Sequence, residues 1–120
     1  MNIMNLSGEA KLLRIFTGSQ DKAGHTPLYE FIVYSAKRAG LAGATVLQGV
    51  MGFGAGSNIH SAKILTLSGD LPMVVEIVDE AEKIDKFVAT IQQHLQKSAF
   101  GGMITTEKVN VIVYRPEKQV

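Results

Sequence analysis

Residues 73–95 read MVVEIVDEAEKIDKFVATIQQHL, and this stretch decides the fold. Residues 73–78 form a run of aliphatic, mostly β-branched side chains interrupted only by Glu76, the composition of a strand. The period then changes. Ile84, Phe87, Val88, Ile91 and Leu95 recur at helical spacing and mark one apolar stripe. Asp79 and Glu82 stand at the interval of a carboxylate capping box, acids crowd the first turn, and His94 and Lys97 lie near the negative end of the helix. A strand running straight into an amphipathic helix is half of a βαβ unit.

Working outward, Gly101-Gly102 breaks the chain after the helix, and residues 109–114 make a closing strand. Upstream, Leu12, Leu13, Ile15 and Phe16 place a strand at 11–17, ended by Gly18 and the polar turn GSQDKAGH. Thr26-Pro27 suits an N-cap followed by proline at the first helical position. Leu28, Phe31, Ile32, Ala36 and Ala39 then give a helix over 27–39, with Lys37 and Arg38 in its last turn and Gly40 as its stop. A strand follows at 44–51. The order is β-α-β, a long excursion, then β-α-β. That order predicts an α+β, ferredoxin-like βαββαβ sandwich: a four-stranded antiparallel sheet with both helices on one face. Met73, Val75 and Ile77, with Val109, Val111 and Val113, are expected beneath the helices. Val74, Glu76 and Val78, with Asn110, Ile112 and Tyr114, are left on the other side, too apolar for water, and a second copy of the chain is the simplest cover.

The composition agrees with one compact unit. In 120 residues, 46% are hydrophobic and 19% charged, enough for a core and too apolar for a disordered chain. The net charge of +1 supplies no bulk field for coating nucleic acid or an anionic membrane, so any anion must be held locally. Without cysteine there are no disulfides, thiolate zinc sites or cysteine nucleophiles, and metal ligands are limited to three His and the carboxylates. MNIMNLSGE lacks the charge and apolar run of a signal peptide, no stretch is long enough to span a membrane, and a cytoplasmic location is expected. We read 1–9 as an N-terminal extension, 10–115 as the domain and 116–120 as a tail.

Several segments together resemble the PII nitrogen-regulatory signalling proteins. Gly43-Ala44-Thr45-Val46 followed by Gly52-Phe53-Gly54 is similar to their second strand and loop entrance, and Leu71-Pro72 leading into Val75-Glu76-Ile77-Val78 is similar to their return strand. The string GLAGATVLQGVMGFGAGSNIHSAKILTLSGDLPMVVEIVD resembles more closely the PII-like family catalogued as a domain of unknown function. With PLYEFIV and LLRIF the likeness covers about residues 10–114. It implies a trimer with small effectors, typically adenine nucleotides, in clefts between subunits, and a long T-loop between Gly52 and Pro72. It also implies that Gly101-Gly102 and Lys108 occupy the place of a phosphate-holding glycine-and-lysine loop, with Arg115 near the phosphate-contacting arginines. It does not extend to uridylylation, since no Tyr lies between Tyr34 and Tyr114, nor to the 2-oxoglutarate response, since Phe53-Gly54-Ala55 replaces the glutamine stretch.

Each candidate ligand-binding residue has a plain structural alternative. Gly52, Gly54 and Gly56 could form an amide nest for an anion or serve as a hinge. Phe53 could stack on a purine or plug a subunit seam. His60 and Lys63 could both meet a phosphate, but three apart on a strand they fall on opposite faces and could equally be a solvated pair. Arg14 lies inside a strand and needs a carboxylate, ligand or water; a structural ion pair with Glu76 is favoured. No histidine spacing suggests a metal site, and no catalytic set is readable.

The expected function is a trimeric PII-like sensor, not an enzyme. An adenine nucleotide, AMP, ADP, ATP or cyclic AMP, would order or release the 52–70 loop and so change what a protein target, such as a membrane transporter or channel, encounters. The alternatives are a divalent-cation-tolerance-type trimer binding metal through histidines, and a small enzyme with His60 in an intersubunit cleft. Nucleic-acid binding is not expected, because the central strand lacks stacking aromatics.

Overall fold

The computed structural model describes residues 8–54, 60–61, 69–97 and 101–116. In chain order its elements are β1 (Gly8–Gly18), β2 (Lys22–Ala23), β3 (Thr26–Pro27), α1 (Leu28–Arg38), β4 (Thr45–Gln48), β5 (Met51–Gly52), β6 (His60–Ser61), β7 (Pro72–Asp79), α2 (Ala81–Leu95) and β8 (Met103–Val111). The main sheet has the order β4-β7-β1-β8 with antiparallel neighbours throughout. This is the expected ferredoxin-like α+β fold.

The period-two pattern of β7 and the helical stripes meet in one core. Val75 and Ile77 register with Ile15 and Leu13 of β1, and all four are buried. Leu28, Ile32 and Ala36 of α1 and Ile84, Phe87, Ile91 and Leu95 of α2 cover them from one side. Both helices end in basic or His-containing turns, Lys37 and Arg38 in α1 and His94 in α2, as their dipoles favour.

Among the described residues no helix lies over the other side of the sheet. Leu47, Val74, Phe16 and Met103 form an apolar row across all four strands in register, and Thr45, Glu76, Arg14 and Thr105 form a polar row beside it. Phe16, Leu47 and Met103 are 37%, 49% and 59% exposed.

Several expectations are corrected. The last strand is β8, residues 103–111, rather than 109–114. Its middle is polar because an edge strand has only one neighbour, and Ile104 packs against the core. Val109 and Val111 register with Ala10 and Gly8 and so lie on the open face, not under the helices, while Asn110, opposite Glu9, takes the helix side. Val113 lies beyond the strand and is 67% exposed. The expected strand at 44–51 divides into β4 and β5, because Pro72 has no N–H with which to continue the β4–β7 ladder. Gly49 N still donates to Pro72 O at 2.7 Å. Thr26 does not cap α1: it pairs with Ala23 in a small hairpin, and Pro27 takes the N-cap position. Nor do Asp79 and Glu82 make a capping box. Glu80 is the N-cap, and the buried Asp79 carboxylate accepts from Glu80 N at 2.7 Å and Ala42 N at 2.9 Å. It therefore joins the start of α2 to the segment leading into β4. The periodic piece at 61–67 falls, apart from Ser61 in β6, outside the described residues.

Candidate functional site

A cavity of about 590 Å³ opens at the end of the sheet where β1 finishes and β7 and β8 begin. Gly52, Phe53 and Gly54 form part of its wall, and Gly101 and Gly102 form another. Phe16 and Met103 contribute from the open face. Phe53 is 74% exposed, an aromatic held at the mouth without being committed to the core. Gly52 packs closely against Pro72: a Cβ there would stand 3.2 Å from the proline ring, tighter than side chains usually pack.

The far end of the 53–70 excursion is fastened to the same region by a hydrogen-bonded clasp. Asp70 Oδ1 accepts from Gln20 N at 2.9 Å and from Ser19 Oγ at 3.3 Å. Ser19 Oγ in turn accepts from Leu71 N at 2.9 Å, and Ser19 N donates to Leu71 O at 2.8 Å. Gly18 N donates to Asp21 Oδ2 at 2.8 Å. Space explains the glycine: a Cβ at Gly18 would lie 2.5 Å from Asp70 Oδ2. Asp21 and Asp70 both line the cavity, and neither is among the residues singled out from the sequence. The turn cluster at 18–25 is legible there, but the partner of Gln20 stands 50 residues further on and gives no local signal.

The predicted ligand-binding residues thus divide. Gly52, Phe53, Gly54, Gly101 and Gly102 meet on one cavity. Arg14 lies elsewhere, on the open face, where Nε reaches Glu76 Oε2 at 2.8 Å and Nη1 reaches Glu107 Oε1 at 2.6 Å. Hydrogen bonds to Glu76 first, and then to Glu107, raise the guanidinium above its ordinary pKa, so it stays charged. Lys108 registers with Lys11, whose Nζ pairs with Asp85 of α2 at 2.7 Å, so Lys108 stands on the helix side of the sheet. Arg115 is exposed beyond β8. His60 pairs its backbone with Gly52 in the β5–β6 hairpin, and Lys63 lies outside the described residues. His94 packs edge-on against Phe31, with ring centroids 5.3 Å apart.

A second concavity of about 470 Å³ lies at the other end of the open face, between Leu12, Val78 and Val111, with Tyr114 alongside. The Tyr114 hydroxyl donates to Ala42 O at 3.3 Å. Its walls combine strand residues of the open sheet face with the 42–44 and 113–114 segments, so it adjoins the face that needs a cover. Among the described residues no helix is long and apolar enough to cross a membrane.

Comparison with known proteins agrees with this architecture. The family model DUF190, described as Uncharacterized ACR, matches residues 10–111. A UPF0166 protein of Aquifex aeolicus (strain VF5) is 42% identical over 102 residues, covering 85% of this chain and 92% of the relative. A UPF0166 protein of Methanocaldococcus jannaschii is 31% identical over 99 residues, covering 82% and 89%. Among solved structures, a PII-like protein of Thermus thermophilus superposes with a TM-score of 0.64 at 20% identity, over 88% of this chain and 91% of that one. CPII of Thiomonas intermedia K12, bound to ADP and bicarbonate, gives a TM-score of 0.61 at 19% identity, over 86% and 88%. At these identities the structures speak for the fold. With the two glycine segments at one sheet end, the excursion between β5 and β7, the fold it shares with PII-like structures and a family match over residues 10–111, the chain belongs to the DUF190 (UPF0166) family.

Proposed function

We propose that the protein is a trimeric regulatory subunit, not an enzyme, that binds an adenine nucleotide at the glycine-lined cavity and signals through the 52–70 loop. The observation that carries this reading is the convergence of Gly52, Phe53 and Gly54 with Gly101 and Gly102 on one cavity at the root of the excursion. Glycine backbone lets amides approach a ligand closely, and an exposed Phe53 offers a face for a purine. The loop leaves from one wall of the cavity at Gly54 and returns beside it at Asp70, so a ligand there touches both ends of the segment that would move. Two further observations support the reading. The open sheet face needs a cover that sibling subunits can supply, and CPII structures of the same fold hold ADP, or ADP with AMP. In a trimer the cavity would lie at a subunit edge, where Arg115 or Lys108 of a neighbouring copy could meet phosphates. Signal output would be a change in the loop surface presented to a protein target.

Calorimetry with ATP, ADP, AMP and cyclic AMP tests the ligand clause. One of them is expected to bind well below millimolar concentration, and heats no stronger than weak millimolar binding for all four would remove it.

A further inference from the structure

The strand register places the charges of the open sheet face. Arg14 of β1 lies between Glu76 of β7 and Thr105 of β8, and Glu107 stands further along β8, opposite Leu12. Arg14 reaches both carboxylates, Nε to Glu76 Oε2 at 2.8 Å and Nη1 to Glu107 Oε1 at 2.6 Å. Strand β4 brings Thr45 and Leu47 to this face, neither of them titratable. Glu9, Lys11 and Lys108 stand on the helix side, where Lys11 pairs with Asp85. Tyr114, which lines the adjoining concavity with Glu76, donates its hydroxyl proton to Ala42 O and is uncharged, and Arg115 lies exposed beyond β8. Among the described residues the strands therefore present one cation and two carboxylates here, a surplus of one negative charge per chain.

In a separate chain water carries that surplus, since the side chains of Arg14, Glu76 and Glu107 are 37%, 30% and 55% exposed. The cluster is flanked on both sides by apolar surface: the row Leu47, Val74, Phe16 and Met103 on one side, and the concavity of Leu12, Val78 and Val111 on the other. A sibling that covers the apolar surface covers the cluster with it. Water is then withdrawn from a carboxylate that Arg14 has no charge left to neutralise, and desolvation favours the protonated carboxyl.

We infer that association over the open face takes up a proton at the cluster of Glu76, Arg14 and Glu107, so that mild acid tightens the assembly and mild alkali loosens it. The sign follows from linkage. The covered state holds more protons than the separate chains, so association strengthens as pH falls through the range where the surplus carboxyl changes charge, about pH 4–7, and is flat above it. The two carboxyls share one guanidinium and titrate as a unit, and removing either leaves a neutral pair. Arg14 stays charged throughout. The inference rests on the proposed trimer and not on its nucleotide.

Sedimentation equilibrium of the full chain from about pH 5 to about pH 8 tests it, with Glu107→Gln, Glu76→Gln and Arg14→Gln alongside. Native association should weaken by about tenfold per chain across that range. Both Glu→Gln variants should flatten the profile and associate more tightly than the native chain at the alkaline end. The glutamine oxygen still accepts from Arg14, so the local geometry is kept. Arg14→Gln leaves two carboxylates without a cation and should associate least tightly there. A purely structural clamp predicts the opposite for the Glu→Gln variants, weaker association at every pH. Where the native assembly does not dissociate on dilution, the same comparison is read from the urea concentration at which its mass falls. A native trimer with a flat pH profile, or Glu→Gln variants that associate more weakly than the native chain at the alkaline end, overturns the inference and leaves the trimer in place. A chain that stays single at every pH overturns both.

Discussion

Asp79 shows how one side chain can set the geometry around it. It is wholly buried, and its two oxygens serve two backbone amides on different segments, Ala42 N and Glu80 N. Asp79→Ala leaves both part-buried donors without their acceptor and should cost about 1–3 kcal/mol. Asp79→Asn should destabilise as well, since its NH₂ must face one of the two N–H donors. Urea denaturation measures both; an Asn variant as stable as the native protein would show that one of the two bonds is dispensable. Phe53 is the opposite kind of residue, exposed and outside the core. Phe53→Ala should leave stability nearly unchanged while weakening adenine-nucleotide binding by about 1–3 kcal/mol, roughly 5- to 150-fold in Kd. Calorimetry on the variant checks this, and unaltered affinity would take the stacking role from Phe53.

The elements separate what periodicity can tell from what it cannot. Helix α2 is readable because every position of its stripe carries an aliphatic or aromatic side chain, and Ile84, Phe87, Ile91 and Leu95 are all buried. Ile91→Ala should therefore cost about 2–5 kcal/mol by transfer and cavity formation, and Val88→Ala, half-buried at the stripe's margin, clearly less. Equal losses in thermal unfolding would mean that the helix is rotated relative to this packing. Strand β8 is misread for a related reason. Alternation shows that Val109 and Val111 share a face, but not which face, and its polar 105–108 stretch resembles a loop until β1 is seen beside it. The Arg14–Glu76 pair is accessible because both are charges inside strands, whereas Glu107 as a third member requires the β8 register. In the candidate site, the glycines and Phe53 are legible. Asp21 and Asp70 are not, because their roles come from a clasp between segments distant in sequence.

For the whole molecule, the deciding feature is a sheet face with an apolar row across its full width that no helix covers among the described residues. The row Leu47, Val74, Phe16 and Met103 runs the full width of the sheet, and the neighbouring row holds Arg14 in its ion pairs with Glu76 and Glu107. An apolar stripe of that width in a small domain is the surface a sibling subunit covers at little cost, while the ion-paired row beside it fixes orientation and registry. Val74 lies mid-row and only half-buried, so Val74→Glu puts a charge on the seam without entering the helix-side core. If the proposed trimer is sealed by this face, light scattering should then fall from about three times the 13.0 kDa chain mass to the chain mass itself, with the far-ultraviolet circular dichroism of a folded chain retained. If the nucleotide cleft is shared between subunits, the same variant should lose nucleotide binding although every residue lining its own cavity is intact. Dissociation with binding preserved would assign the pocket to the single chain, and an unchanged mass would place the subunit seam on another surface.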